Sequence, residues 1–333
     1  MRRYVSSNTN EVKVPKGITA IAKRLNARII GVISALVLTF IVFTLLEPAF
    51  ISVDNLLEIG VQSTIIAFVA LGLTFVIVTG GIDISVGSIV GLTSVICATN
   101  LEHWGTFITI VAAILIGSLL GAFNGAVSAI FNLQSFVVTL ATLNLFRGIA
   151  FLFTQGRPIY NLDPGFRNFF SADLGPIPKP ILFLIAFTVI CYIILNRTRM
   201  GLHLKALGTN ADASRRSGVN TRRSQITAFV LGGALCGIAS LMLMSRIGAA
   251  EPISGTGFEL QAIAAVVVGG TSLMGGRGSI VGTVLGAILL GSIAVGLTLH
   301  NVNAFVQLVV TGVIVLGAVL TDRFATRSKV GRS

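Results

Sequence analysis

The sequence predicts an all-α polytopic membrane protein of about ten transmembrane helices, some of them interrupted, with both termini cytoplasmic. Three observations predict this. Mean hydropathy is +0.92, with 54% hydrophobic and only 11% charged residues, and apolar runs of the roughly 17–25 residues that cross a bilayer recur along the chain. Eighteen of the 24 Lys and Arg gather in three polar segments, before Ile29, in 196–225 and after Thr321, and that positive-inside bias places all three in the cytoplasm. Motifs with adjacent glycines interrupt two apolar runs, at 79–88 and 269–279.

The segment 1–28 is polar and basic, and no small-residue cleavage site closes the run behind it, so 29–46 is expected to be a retained span and not a signal peptide. Runs 59–79 and 84–99 flank TGGIDISVGS, where Gly80 and Gly81 break the helix beside Asp83. Spans follow at 107–131 and 135–154. Segment 155–179 is then the longest external connection. Its Pro158, Pro164, Pro176 and Pro178 argue against a long helix, while Tyr160, Phe166, Phe169 and Phe170 suit either the lipid interface or a partner. A span at 180–195 leads to the basic segment 196–225, and 226–245 leaves it. Spans at 259–274, 279–299 and 303–321 complete the set, with Arg277 beside the second break and 323–333 as a tail. An even count agrees with two basic termini on one side, and 29–322 reads as a single transmembrane domain.

Glycines recur four apart at 117, 121 and 125, at 278, 282 and 286, at 87 and 91, and at 233 and 237. On a helix such sets form smooth ridges that admit a close neighbour, which points to a tight bundle or a dimer interface. The clustered positive charge is accounted for by topology, so nucleic-acid binding is a poor reading of the net +12. Cys97, Cys191 and Cys236 lie singly in apolar runs as small buried residues. His103, His203 and His300 are scattered, without a metal or relay pattern. No GxxxxGK[ST] phosphate cradle is present, so energy must come from another chain or an ion gradient.

Irregular backbone at membrane depth survives only where protein or a water-filled cavity satisfies it, so the two breaks either line a route or form sharp cytoplasmic turns. Both contain the pentapeptide GSIVG, at 87–91 and 278–282, a weak hint of duplication. Intramembrane charge is costly and marks functional candidates. Arg147 lies inside the fifth run with Asn144 one turn earlier, and Glu259 begins the eighth with Gln261 close by. The structural alternatives are a buried pair of Arg147 with Asp83 or Glu259, and interfacial solvation of Glu259. Among milder polar residues, Gln134, Thr139 and Asn144 are the candidates for a pathway ahead of Asn124 and Thr142, since most such groups bond to neighbouring helices.

Within 196–225 the stretch from Gly208 to Gly218 reads as a short exposed helix: Asn210 as N-cap, Asp212 in the first turn, Arg215 and Arg216 in the last, Gly218 ending it. It is either a docking knob or a loop carrying charge for topology. GGIDISVGS, ATLNLFRG, ALGTNADASRRSGVN and GTGFELQAIAAVVVGGTSLMGGRGSIVG, in this order between about Ile29 and Asp322, resemble the permease subunits of ABC sugar importers of the ribose/galactose type, in the branched-chain-permease-like superfamily. The resemblance implies a pair of permease subunits, here a homodimer, in the lipid of the bacterial inner membrane, a cytoplasmic ATPase that binds ATP and Mg, and a periplasmic sugar-binding protein. It implies a coupling helix spanning Asn210, Ala211, Asp212, Ala213, Ser214, Arg215, Arg216 and Gly218, which enters a groove on the ATPase. Arg216 stands where the family usually has an apolar residue. The resemblance also puts Asp83, Ser85, Glu259 and the glycines around 269–278 near the substrate path. The expected function is ATP-driven import of a monosaccharide by alternating access, with no catalysis on this chain. The rival is a self-sufficient carrier driven by ions through Asp83, Arg147 and Glu259.

Overall fold

From Ile65 to Val78 helix α2 (Val53–Val78) is apolar on almost every face, and a helix segment of that kind belongs in the middle of a bundle. In the computed structural model, which describes residues 16–317 except 161, 304 and 315, with side chains from residue 29 onward, the first turns of α2 are exposed and 67–78 are buried on all sides. The segment before Lys16, the end of the last expected span and the tail 323–333 lie outside the described residues.

The chain order is α1 (Lys16–Leu46), α2, α3 (Val86–Ile130), α4 (Ser135–Thr154), α5 (Pro164–Ser171), α6 (Lys179–Arg197), α7 (Arg199–Thr209), α8 (Ala211–Arg216), α9 (Thr221–Ile247), α10 (Phe258–Val268), α11 (Ile280–Leu299) and α12 (Phe305–Ile314). Strands β1 (Asp173–Leu174) and β2 (Ile177–Pro178) form a small antiparallel hairpin between α5 and α6. Seven of the helices are long and apolar enough to cross a bilayer. The protein is thus an all-α polytopic membrane protein. Its outer helices α1, α3, α4 and α6 carry exposed apolar faces, as lipid contact requires.

The 45 residues of α3 would run about 68 Å if straight, more than twice the hydrocarbon thickness. Gly105, at φ 66° and ψ 173°, breaks it. The Cys97 thiol reaches the Thr109 carbonyl at 3.9 Å, a pair that a straight helix would hold about 18 Å apart, so α3 turns back as two legs. The legs match the runs expected at 84–99 and 107–131. The 135–154 run is α4 to the residue. By contrast α10 stops at Val268 rather than at 274, because Gly269 and Gly270 (φ 87°) end it. Helix α5 starts at Pro164, with the Asp163 carboxylate accepting from Phe166 N at 2.8 Å. Pro at the first helical position needs no N–H partner, so the prolines of 155–179 permit a short helix while excluding a long one.

The second leg of α3 packs on α9 along facing glycine rows. At Gly117 and Gly233 the two backbones are so close that a Cβ on either would overlap the other's carbonyl. Close approach of this kind maximises dispersion contact where lipid supplies no hydrophobic drive. Thr74 and Thr283 share a hydrogen bond of 2.8 Å that ties α2 to α11. The three cysteines are free and buried, as expected. The GSIVG echo does not mark equivalent places: Gly87 and Ser88 lie inside the first turn of α3, whereas Gly278 and Ser279 precede α11.

Gly233→Val is expected to cost about 1–3 kcal/mol or more through overpacking, seen as a lower melting temperature and aggregation in detergent. Gly148→Ala, on the open face of α4 with nothing within 4 Å of a new Cβ, should be neutral or stabilising by about 0.5–1 kcal/mol.

Candidate functional site

Two non-helical breaks and one polar helix meet at one end of the bundle. The first break, 79–85, joins α2 to α3, and the second, 269–279, joins α10 to α11. Gly276 N–H donates to Val78 O at 2.8 Å, so the second break closes on the end of α2. Helix α7 lies on both: a Cβ at Gly208 would overlap Val78 O and press on Gly276 N, and a Cβ at Gly275 would press on Gly80 and on Gly208 O. Here glycine is required by backbone-to-backbone approach. The sequence placed α7 in an undivided polar loop. It is helical because the Thr198 hydroxyl accepts from Gly201 N at 3.2 Å and the chain then carries good helix formers to Thr209.

The first break is held by hydroxyls on one face of α4. Ile82 N–H donates to Ser135 Oγ at 2.9 Å, and Ile84 N–H donates to Thr139 Oγ1 at 3.2 Å. Thr139 in turn donates to a carbonyl, that of Ile82 at 3.2 Å or Phe136 at 3.3 Å. Asp83 is buried; its Oδ1 accepts from Ser85 N at 2.8 Å and Ser85 Oγ at 2.6 Å, and Asn124 donates to that hydroxyl at 2.8 Å. Asp83, Ser85 and Asn124 therefore form one buried cluster, and Ser135 is a member of the supporting set that the sequence reading missed. In the second break Ser279 N–H donates to Thr271 Oγ1 at 3.1 Å, and the Ser279 hydroxyl caps α11 through Gly282 N at 3.0 Å.

A third irregular stretch, 249–257, falls in the connection left between the spans expected at 226–245 and 259–274. It follows α9, pairs Ala250 with Ile159 and descends to α10. With 11 residues α10 is about 16 Å long, half the hydrocarbon thickness, so its start lies at depth. Arg147 answers the backbone there: one guanidinium nitrogen donates to Pro252 O and Ser254 O, each at 2.6 Å. The expected alternative of a carboxylate pair for Arg147 is replaced by two carbonyls more than a hundred residues away. Glu259 is near enough to act on that guanidinium electrostatically; its Oε1 accepts from Gly257 N at 3.3 Å, and its Oε2 lies against Gly87.

Gln261 points the other way. It lines a cavity of about 320 Å³ between α2, α10, α11 and α12, together with Gln62, Ser63, Gln307 and Thr311. Gln134 and Asn144 lie exposed on the outer side of α4, Asn144 donating only to Leu140 O of its own helix at 3.4 Å. The predicted residues thus separate into a buried cluster (Asp83, Ser85, with Thr139 beside it), a carbonyl clamp (Arg147, with Glu259 beside it), one cavity residue (Gln261) and two on an open face.

The polar loop projects α8 from α7. Asn210 Oδ1 accepts from Ala213 N at 2.9 Å, the cap that its position predicts, and Gly218 (φ 83°) follows the helix end. Asp212, Arg215 and Arg216 are exposed and Ser214 is buried. Lys205 donates to Asn196 Oδ1 at 2.8 Å, and burial pulls its ammonium below the usual lysine value. Beside α8 a groove of about 550 Å³ is lined by Arg215, Asn220 and Arg222. At the opposite end of the bundle Arg246 pairs with Glu58 at 2.6 Å, an exposed pair of small energetic weight.

Comparison with known proteins matches residues 55–319 to the family described as "Branched-chain amino acid transport system / permease component". The ribose import permease protein of Haemophilus influenzae is 38% identical over 306 residues, covering 89% of this chain and 93% of that one. The D-allose and L-arabinose transport system permease proteins of Escherichia coli K12 are each 34% identical, over 89% and 90% of this chain and 92% of their own. No solved structure matches significantly.

Arg147→Ala would leave the Pro252 and Ser254 carbonyls without their donor, at about 1–3 kcal/mol each. Hydrogen exchange across 249–257 is expected to quicken about ten-fold or more, while Arg147→Lys restores part of the protection. Thr139→Val, which removes the hydroxyl joining α4 to Ile82 and Ile84, should lower stability by about 1–3 kcal/mol, measured as a fall in melting temperature, with Thr139→Ser close to the parent.

Proposed function

We propose a transport role from one premise: this chain belongs to the branched-chain amino acid transport system / permease component family, among the permeases of sugar ABC importers. It is a multi-pass protein of the bacterial cytoplasmic membrane, and its part is transport, not catalysis. In our reading it is the transmembrane subunit of an ATP-driven importer of a monosaccharide, a ribose-like pentose or a hexose. Two copies pair in the membrane. A cytoplasmic ATPase carries the ATP and Mg, and a binding protein delivers sugar from outside.

The reading assigns ten spans, counting both legs of α3 and the shorter α10 and α12, with 1–28 and 323–333 in the cytoplasm and 29–322 as one permease domain. Positive charge puts 196–225 inside as the coupling loop and 155–179 outside. Residues from Asn210 to Gly218 meet the ATPase. The polar groups Asp83, Ser85, Gln134, Thr139, Asn144, Arg147, Glu259 and Gln261 are assigned to the route or its walls.

The observation that carries this is the contact of α7 with both breaks through Gly208. A load on α8 passes through α7 to the ends of α2 and α10 and to the starts of α3 and α11. Those helices bound the route, so rocking the loop reorients them from an outward to an inward opening. An ion-coupled carrier needs its charges free to follow the ion, and Arg147 is instead engaged by two carbonyls.

The test is uptake of D-ribose, D-allose and L-arabinose by proteoliposomes holding this chain, with and without its ATPase and binding protein. Uptake is expected to require ATP and both partners. Replacing Asp212 and Arg215 by alanine should cut it by about ten-fold, the equivalent of 1.4 kcal/mol of docking energy, without lowering the melting temperature. Uptake by the chain alone on an ion gradient would overturn the proposal.

A further inference from the structure

We propose that the cavity between α2, α10, α11 and α12 is a binding site for a neutral polyhydroxylated ligand, held by the amides of Gln62, Gln261 and Gln307. The inference rests on the sugar-permease reading and places a subsite within it.

The three glutamines come from three helices and converge on one space of about 320 Å³. Gln62 is in the second or third turn of α2, Gln261 in the first turn of α10 and Gln307 in the first turn of α12. Gln62 and Gln307 therefore sit toward the end of the bundle opposite α7, where α9 also ends, and Gln261 reaches the same space from the start of α10 at depth. A route entered from that end passes this cavity before it reaches the breaks.

Amides in apolar helices are costly unless something bonds to them. Gln307 Nε2 donates weakly to Thr298 Oγ1 at 3.3 Å and to Val302 O at 3.1 Å, which leaves its carbonyl oxygen. Among the described residues the side chains of Gln62 and Gln261 have no protein partner, and both are half-buried, facing the cavity that they line. Each amide offers two donors and an acceptor, so the cavity presents donors and acceptors together, the pattern that a vicinal diol matches. Among the described residues no Asp, Glu, Lys or Arg lines it, so none of these recognises a charge there. The remaining wall is apolar, including Ile66, Leu290 and the ring of Phe305, and suits the C–H face of a sugar ring. The volume lies at the lower end of small-molecule sites. A ligand held by neutral hydrogen bonds alone also leaves readily, which a transit site demands.

The geometry separates this site from the Arg147 clamp. On α10, Glu259 faces Gly87 of α3, while Gln261, two residues on, faces α11 and α12. Substitution in the cavity therefore leaves the clamp and the α7 contact in place.

The experiment uses the full complex with its ATPase and binding protein in proteoliposomes. Gln62→Leu, Gln261→Leu and the milder Gln62→Asn and Gln261→Asn are compared with the parent for uptake of D-ribose, D-allose and L-arabinose, and for sugar-stimulated ATP hydrolysis. In parallel Ala294→Cys, on the cavity wall, is labelled with a maleimide in the presence of each sugar, the three native thiols being buried. Each lost amide should slow uptake about two- to ten-fold, as a neutral hydrogen bond implies. The ranking of the three sugars should change, ATP hydrolysis should persist, and the transported sugar should protect Ala294→Cys from labelling, with Gln261→Leu removing that protection. Parental uptake and ranking in all four variants, with labelling indifferent to sugar, would overturn the subsite while the permease reading stands. Failure of the unmodified complex to take up any of the sugars would overturn the permease reading and the subsite with it.

Discussion

Inside a bilayer every peptide group that leaves a helix must find its hydrogen-bond partner within the protein, and this bundle is organised by how it meets that demand in three places. The break after α2 is bonded by Ser135 and Thr139 of α4. The break after α10 is bonded by the last carbonyl of α2 and by its own Thr271. The stretch before α10 is bonded by Arg147. The bonds from α4, from the end of α2 and from Arg147 join segments that are distant in sequence, so the irregular backbone also ties the bundle together.

That arrangement ties the polar loop to the transmembrane helices without a long lever. Helix α7 meets the two breaks backbone to backbone at Gly208, a contact with no flexible side chain between the surfaces to absorb a displacement. The rigid connection suits the proposed transfer of motion from a partner ATPase to the bundle. At the other end of the bundle the amide-lined cavity next to α10 offers bonds that are individually weak, as a transit site requires. Arg147 holds the backbone that leads into α10.

Much of the fold was legible because lipid solvent simplifies the code. The 135–154 run coincides with α4, the Asn210 cap forms as its position predicts, and the four-residue glycine spacing reappears as the α3–α9 contact. The two glycine-pair breaks were legible because an ionisable residue, Asp83 or Arg277, sits beside each, whereas the pair Gly232-Gly233 without one stays helical in α9. What stayed hidden is non-local. Arg147 could be flagged as an intramembrane charge, but its partners are backbone carbonyls, whose positions no side chain marks in the sequence. Helix α7 was absorbed into a polar loop because HLKAL has neither the length nor the apolarity of a span. Gln62 and Gln307 stand out by no motif in the sequence, and only the packing of α10 and α12 brings them to Gln261. Gln134, just before α4, and Asn144, on it, are exposed in the single chain.

The account stands on the transmission of motion through Gly208, and the most direct measurement is Gly208→Val in the complete complex reconstituted in proteoliposomes. Binding of the ATPase, ATP hydrolysis and sugar uptake are followed together. If α7 drives both breaks, the variant still binds the ATPase through α8 and still hydrolyses ATP, while uptake falls to background. Uptake that keeps pace with hydrolysis in the variant would contradict the account, because the loop would then be acting on the bundle by some other contact.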